Sequence, residues 1–252
     1  MTAVRVFTDD ARYRIALAEL TESAVTAPSM HDADIVVGSR AAECRADQLA
    51  ILTPDGSAGL DPPLGASVIL ERLWFRPDVE QDVVARREWF PRIEIEVTAP
   101  TAQLHAVMTD AAAWAGALAG AELRPGAGAA TRFGGIADAR AGDAVVTLQL
   151  RRREASAAAL RIAAIGPSRV EIRVDDERRS VRVRIADEDG ELVLPERWED
   201  AARVTLRRAV EVRRSGVHAT DLVRLRRDSR VADHFLRLIT EADDTDRQPR
   251  IP

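Results

Sequence analysis

The chain has 252 residues, a net charge of -5 and a pI near 5.5, long enough for one large or two small domains with a well-buried core. Its 46% hydrophobic and 31% charged content is that of a globular protein, and arginines interleaved with carboxylates exclude the concentrated basic face that nucleic acid requires. All 36 basic side chains are arginine; this rules out Schiff-base chemistry, a Walker-type phosphate lysine and an ammonium general acid, because arginine holds its proton at any working pH.

Cys44 is the single cysteine, so no intramolecular disulfide is available and a reducing, cytoplasmic setting is expected. The opening residues, MTAVRVFTDDARYRIALAEL, contain no long uncharged apolar run, which predicts neither a signal peptide nor a membrane span.

In chain order, Val4 to Thr8 reads as a strand. Asp9-Asp10 is suited to cap a helix reaching Leu20, with Ile15, Leu17 and Leu20 as its buried face. DIVV, Asp34 to Val37, reads as the next strand, followed by Leu49 to Leu52 and Ser67 to Leu70 on either side of the turn-rich TPDGSAGLDPPLG. Apolar strands alternating with helices predict a small α/β layer with a parallel sheet covered on both faces.

The pattern changes at Ile93 to Val97, where apolar and acidic residues alternate strictly. An alanine-rich helix is predicted from Thr101 to Leu118, and RPGAGAATRFGG reads as a loop. AVVTLQL, ALRIAAI, RVEIRV, SVRVRI and ELVL then alternate as an antiparallel meander, with turns at Gly166-Pro167, Asp175-Asp176 and Asp189-Gly190. Val170, Ile172 and Val174 should point inward and Glu171 and Arg173 outward. Two helices, about Trp198 to Arg213 and Ala219 to Leu238, should cover the packed face.

The expected division is a reduced Rossmann-like domain over residues 1–92, an α+β sheet domain over 93–240 and a flexible tail over 241–252. The fold class is α/β plus α+β: a truncated Rossmann-like domain followed by an open antiparallel sheet covered by helices.

Specific stretches then carry a family resemblance. DADIVV at Asp32 to Val37, GASVILER at Gly65 to Arg72, TDAAAWAGALAG at Thr109 to Gly120 and the segment LRRAVEVRRSGVHATDLVRLRRDSRVADHFLRL resemble the glucose-fructose oxidoreductase and inositol dehydrogenase (Gfo/Idh/MocA) family. The resemblance implies hydride transfer between NAD(P) and a sugar or polyol, with a Glu-Lys-Pro lysine and an Asp-x-x-x-His histidine handling the proton and substrate hydroxyl. It places Arg72, Asp110 and Trp114 at catalytic positions and Thr8, Asp9, Asp10, Gly38, Ser39 and Glu71 at cofactor positions; His105 is a further catalytic candidate if the chain is an enzyme.

This sequence departs from that pattern at three of these places. TDDARY stands where glycines should let the backbone approach a pyrophosphate, and Asp9 and Asp10 would set two carboxylates beside its charge. Arg72 replaces the lysine and is a poor proton donor. Trp114 replaces the histidine one turn after Asp110 and offers an N–H but no base.

The expectation is therefore a non-catalytic relative that acts as an accessory subunit, pairing with a second copy or a catalytic relative through its open sheet. No cofactor is expected. The alternatives are an NAD(P)-dependent sugar or polyol oxidoreductase with an altered cofactor pose, and a sugar or polyol sensor.

Weaker signals read as structural. Gly126-x-Gly128 does not join a strand to a helix, and GSAG at Gly56 to Gly59 lacks the spacing of a nucleophile elbow. HDAD at His31 to Asp34 suits a capped turn, and no metal site is expected. Trp74, Phe75, Trp89 and Phe90 form an aromatic group read as packing, with a partner anchor as the competing reading.

Overall fold

The computed structural model describes residues 2–53, 67–86, 88–131, 133–154, 157–175, 180–197 and 199–245. The chain divides into two compact units, Met1–Leu73 with Glu199–Arg224, and Trp74–Trp198 with Leu225–Pro252.

Unit 1 is built on five parallel strands, β1 (Val4–Thr8), β2 (Ala24–Thr26), β3 (Ile35–Val37), β4 (Leu49–Leu52) and β5 (Ser67–Leu70), in the order β2-β1-β3-β4-β5. Strands β3, β4 and β5 are almost wholly buried, which is why they read as unbroken apolar runs. The three-residue β2 was not anticipated, because Val25 and Thr26 are exposed and its one buried side chain is Ala24.

Helix α1 (Ala11–Glu19) is capped by Asp10, whose carboxylate accepts from the Arg12 amide at 2.8 Å. Its buried stripe is Tyr13, Ala16 and Leu17, with Leu20 partly buried beyond its end, whereas Ile15 is 64% exposed. The expectation for Ile15 fails because residue 15 lies about 200° around the helix from residue 13, so a stripe that buries the large Tyr13 turns Ile15 to solvent.

Helix α4 (Ala201–Ser215) joins this unit. Its Ala202, Leu206, Ala209 and Val210 share one apolar cluster with Val6, Ile35, Ile51 and Ile69. Its apolar stripe covers the parallel sheet, not the second sheet as expected from sequence. The connection between β3 and β4 contains a short 3-10 helix, Ser39–Glu43, in place of an α-helix. The expected turn between β4 and β5 lies outside the described residues.

Unit 2 carries an eight-stranded sheet made of β6 (Arg92–Ala99), β7 (Leu123–Thr131), β8 (Gly134–Ala141), β9 (Ala144–Arg152), β10 (Ala159–Ile165), β11 (Arg169–Asp175), β12 (Ser180–Asp187) and β13 (Gly190–Val193). The order is β13-β12-β11-β10-β6-β9-β8-β7. Every neighbouring pair is antiparallel except β6 and β9, which run parallel, so the sheet is mixed where an antiparallel one was expected. Helix α3 (Leu104–Ala119) and the β7–β8 hairpin separate β6 from β9 and supply the crossover that a parallel pair requires.

Strand β7 is the stretch RPGAGAAT, read from sequence as a loop. It pairs with β8 through a register shift between Pro125 and Gly128. Its glycines serve close approach: a Cβ on Gly126 would come 2.9 Å from the Asp138 carboxylate, and one on Gly128 would come 3.2 Å from the Ile136 carbonyl and 3.3 Å from Leu238.

The inner face of this sheet buries Ile93, Ile95, Val97, Val170, Ile172 and Val174 under α3 and part of α5 (Asp221–Thr245), including Val231, Ala232 and Phe235. Helix α5 continues to Thr245, into the stretch expected to be a tail. Helix α2 (Pro77–Val84) contributes Val79 and Val83 to the same core, and Trp74, Phe75 and Phe90 join it. Trp89 stays 64% exposed.

Candidate functional site

The carboxyl ends of β1, β3 and β5 bring together every position that the resemblance marked for a cofactor. Thr8 ends β1 and its hydroxyl accepts from the Asp10 amide at 3.1 Å. Asp9 follows, and its carboxylate accepts from the Ser39 hydroxyl at 2.7 Å. Gly38 leaves β3 with φ +94°, a region closed to most L side chains, and Asp9 lies so close that a Cβ at Gly38 would collide with its carboxylate. The β1–α1 turn and the loop after β3 are thereby held against each other.

A second set of bonds runs toward β5. The Arg12 guanidinium donates to Asp10 at 2.8 Å and to Glu71 at 2.8 Å, and the Tyr13 hydroxyl donates to the other Glu71 oxygen at 2.9 Å. The Glu71 side chain has no exposed surface. Burial raises the Glu71 carboxyl above its ordinary value, with Arg12 and Tyr13 pulling the other way. Burial and then the Glu71 charge push the Tyr13 phenol far up, against a hydrogen bond from Thr205 of α4. Asp10 ends below its ordinary value: burial works upward, and the bonds and charge of Arg12 outweigh it. Arg12 and Tyr13 were not singled out from sequence. The signal was an arginine and the chain's one tyrosine two and three residues after a capping aspartate.

In open α/β sheets a nucleotide takes the crevice at the carboxyl ends of the strands where the order reverses, with its pyrophosphate on the amides that open α1. Here that reversal lies between β1 and β3, where Asp9 meets Ser39. The Asp10 carboxylate is already bonded to the helix amide. At an effective dielectric constant near 20, a phosphate charge about 4 Å from one of these carboxylates would meet a repulsion of about 4 kcal/mol, or about three decades of affinity. The residues present do not fit a pyrophosphate in this pose.

The four catalytic candidates do not share one unit. Arg72 lies half-buried in unit 1 beside Glu71. Asp110, Trp114 and His105 belong to α3 in unit 2. Helix α3 is apolar on nearly all sides and correspondingly buried. Asp110 is 4% exposed and accepts from the Trp74 amide at 2.9 Å. Trp114 has no exposed surface, donates its indole N–H to the Trp74 carbonyl at 2.7 Å and packs on Phe75 with ring centroids 4.8 Å apart. The sequence leaves Asp110 without a histidine one turn on; in the fold, Asp110 and Trp114 together clamp both polar groups of the Trp74 main chain.

His105 is exposed and meets two side chains of α5 through the same ring nitrogen, Asp233 at 3.1 Å and Ser229 at 3.3 Å. A proton relay needs its two partners on opposite nitrogens, so this cluster is not one. Gly126 and Gly128 lie inside β7 rather than in a phosphate loop. His31 and Asp32 are in an exposed 3-10 turn, while Asp34 is paired with Arg5 and Arg213. Among the described residues no three ligand-type side chains converge on a metal position.

A parallel nucleotide-type sheet in one unit and a large open sheet in the other define the two-domain fold of the Gfo/Idh/MocA oxidoreductases. Solved structures with this plan include a UDP-N-acetylglucosamine 3-dehydrogenase from Acidithiobacillus ferrooxidans, 14% identical, with a TM-score of 0.64 over 96% of this chain and 99% of that one. An oxidoreductase from Sinorhizobium meliloti matches at 8% identity and a TM-score of 0.67 over 98% and 99%. A 3-ketoreductase from Actinomadura kijaniata, solved with NADP and TDP-benzene, matches at 14% identity and a TM-score of 0.61 over 94% and 98%. The likeness is one of fold. No protein-family model and no curated protein matches the sequence.

Proposed function

We propose that this chain is a non-catalytic protein on an oxidoreductase fold, working as a partner subunit that associates with a second copy or with a catalytic relative. The observation that carries the reading is the use of Asp110 and Trp114 as struts. Both side chains are buried and bonded to the Trp74 backbone, so neither is presented to a substrate. Arginine at position 72 supplies no proton at neutral pH.

The outer face of the eight-stranded sheet is the proposed contact surface. Glu171 accepts from Arg161 at 2.6 Å and from Arg173 at 3.0 Å, and Arg92 pairs with Glu94 at 2.5 Å. Burial acts upward on Glu171, and the two arginines together hold it below its usual range. An ordered charge ladder of this kind selects orientation and partner more than it adds affinity. A buried Cys44 is in keeping with the reducing cytoplasm proposed for the protein, and among the described residues no helix is long and apolar enough to cross a membrane.

The test is a hydride-transfer assay at 340 nm with NADH and NADPH against sugar nucleotides and polyols, run beside light scattering and co-purification from the native lysate. The expected result is no turnover and a defined oligomer or complex. Saturable turnover would establish the second reading, an NAD(P)-dependent sugar or polyol oxidoreductase, which draws its support from the NADP-bound ketoreductase of the same fold. A monomer without a partner would also count against the proposal. If that monomer were stabilised by a sugar or polyol, a ligand sensor would take its place.

A further inference from the structure

We infer that Asp9 and Asp10 form a built-in anion that occupies the nucleotide crevice, so that the chain's own carboxylates close the loops a bound pyrophosphate would otherwise bridge. Asp10 takes the first-turn amide of α1 at 2.8 Å and the Arg12 guanidinium at 2.8 Å, the two kinds of group that a phosphate seeks. Asp9 takes the Ser39 hydroxyl across the point where the strand order reverses. Gly38 is the residue that lets Asp9 come so close, since any side chain there would collide with it. The glycines of a nucleotide loop are thus not merely lost: the same crevice is rebuilt as a cross-brace from β1 to the loop after β3, and through Arg12 to Glu71 at the end of β5.

Two consequences separate this from simple decay of a binding site. A decayed site would leave positive potential at the α1 terminus and a weak affinity for phosphates. A built-in anion abolishes that affinity and makes the brace part of the stability of unit 1. Removing the charges while keeping the helix-capping bond should then uncover the anion preference. Serine and asparagine serve, because both cap helices about as well as aspartate.

The experiment uses the full chain and inorganic pyrophosphate at millimolar concentration, followed by thermal unfolding and calorimetric titration. Wild type should show no shift. The Asp9→Ser/Asp10→Ser variant should melt lower without ligand and gain a saturable rise of about 3 °C or more with pyrophosphate, its affinity exceeding that of wild type by about a thousand-fold. If the double variant does not fold, Asp10→Asn alone carries the same comparison. Stabilisation of wild type by pyrophosphate overturns the inference, and so does a folded variant that still ignores it. Pyrophosphate binding by wild type without hydride transfer would sink this inference alone, whereas turnover by a wild type that rejects pyrophosphate would sink only the partner-subunit reading.

Discussion

The indole N–H of Trp114 donates to the main-chain carbonyl of Trp74 at 2.7 Å, and both rings are buried in the core of unit 2. The two tryptophans are not equivalent. The Trp114 nitrogen is bonded, while the Trp74 ring nitrogen is buried with no hydrogen-bond partner among the described residues. Trp114→Phe should therefore cost about 1–3 kcal/mol, because it strips a bond and leaves the Trp74 carbonyl buried. Trp74→Phe removes an unsatisfied N–H and should cost less, despite a similar loss of ring volume. Trp114→His, which rewrites the family's Asp-x-x-x-His spacing, should lower stability by about 3 kcal/mol without yielding hydride transfer. Denaturant unfolding of the three variants checks the order; a Trp74→Phe cost equal to that of Trp114→Phe would contradict it.

The chain has one tyrosine, which makes the brace in unit 1 directly observable. Tyr13 is held protonated first by burial and then by the Glu71 charge. A phenol whose folded pKa lies above its unfolded value of 10.0 contributes stability that is complete below pH 10 and lost as pH rises beyond it, because the unfolded chain releases the proton first. Absorbance at 295 nm should therefore stay flat through the normal tyrosine range and rise only together with loss of circular dichroism. A tyrosinate signal near pH 10 in the folded protein would show that Tyr13 is not sealed against Glu71. Tyr13→Phe should remove this alkaline sensitivity while leaving the Arg12–Glu71 pair in place.

Gly134 opens β8 with φ +153°, and a Cβ there would run into the Leu150 carbonyl of β9. Gly134→Ala should cost about 3 kcal/mol, from the disfavoured backbone region and the displaced strand together. Gly190 also has a positive φ, +147°, but meets nothing within 4 Å, so Gly190→Ala should show the backbone cost without the collision. Thermal unfolding of the pair separates the two contributions; equal losses would mean that the contact with β9 is not what requires glycine at 134.

Gly134 also marks a stretch that the sequence does not make legible. Leu49–Leu52 and Ser67–Leu70 were legible to the residue, because a strand buried on both faces must be almost wholly apolar. Ile93, Ile95 and Val97 were legible through alternation, as the half-covered strand β6 requires. β7 was missed because none of its residues is buried, and β8 because its buried positions are Gly134, Ala137, Ala139 and Ala141, whose small side chains carry almost no hydrophobic signal. In the site, the absence of the glycines, lysine and histidine that the resemblance calls for was visible as letters. The Asp10–Arg12–Glu71–Tyr13 chain was not, since Glu71 is about 60 residues from the other three and only the parallel sheet brings the ends of β1 and β5 to the same edge.

Trp89 provides the cleanest test of association. Of the four aromatics around α2, Trp74, Phe75 and Phe90 are 2–3% exposed and belong to the core, whereas Trp89 is 64% exposed. Trp89 directly precedes Phe90 and Pro91 at the entry to β6, and the Pro91 carbonyl accepts from the Val145 amide at 2.9 Å, so the segment is fixed to the rim of the sheet. A large indole held in water on an ordered segment adds little to the fold, and surface substitutions away from special features change stability by about 0.5 kcal/mol or less. Tryptophan is also the side chain that most often dominates the energy of an interface. Trp89→Ala should therefore leave the melting temperature close to that of wild type and weaken association by at least tenfold, which corresponds to about 1.4 kcal/mol, as read by sedimentation or by co-purification yield. General destabilisation would return Trp89 to a packing role. A folded variant with undiminished association would move the contact away from this rim and toward the Arg161–Glu171–Arg173 ladder, where Glu171→Arg reverses the central charge and provides the independent check.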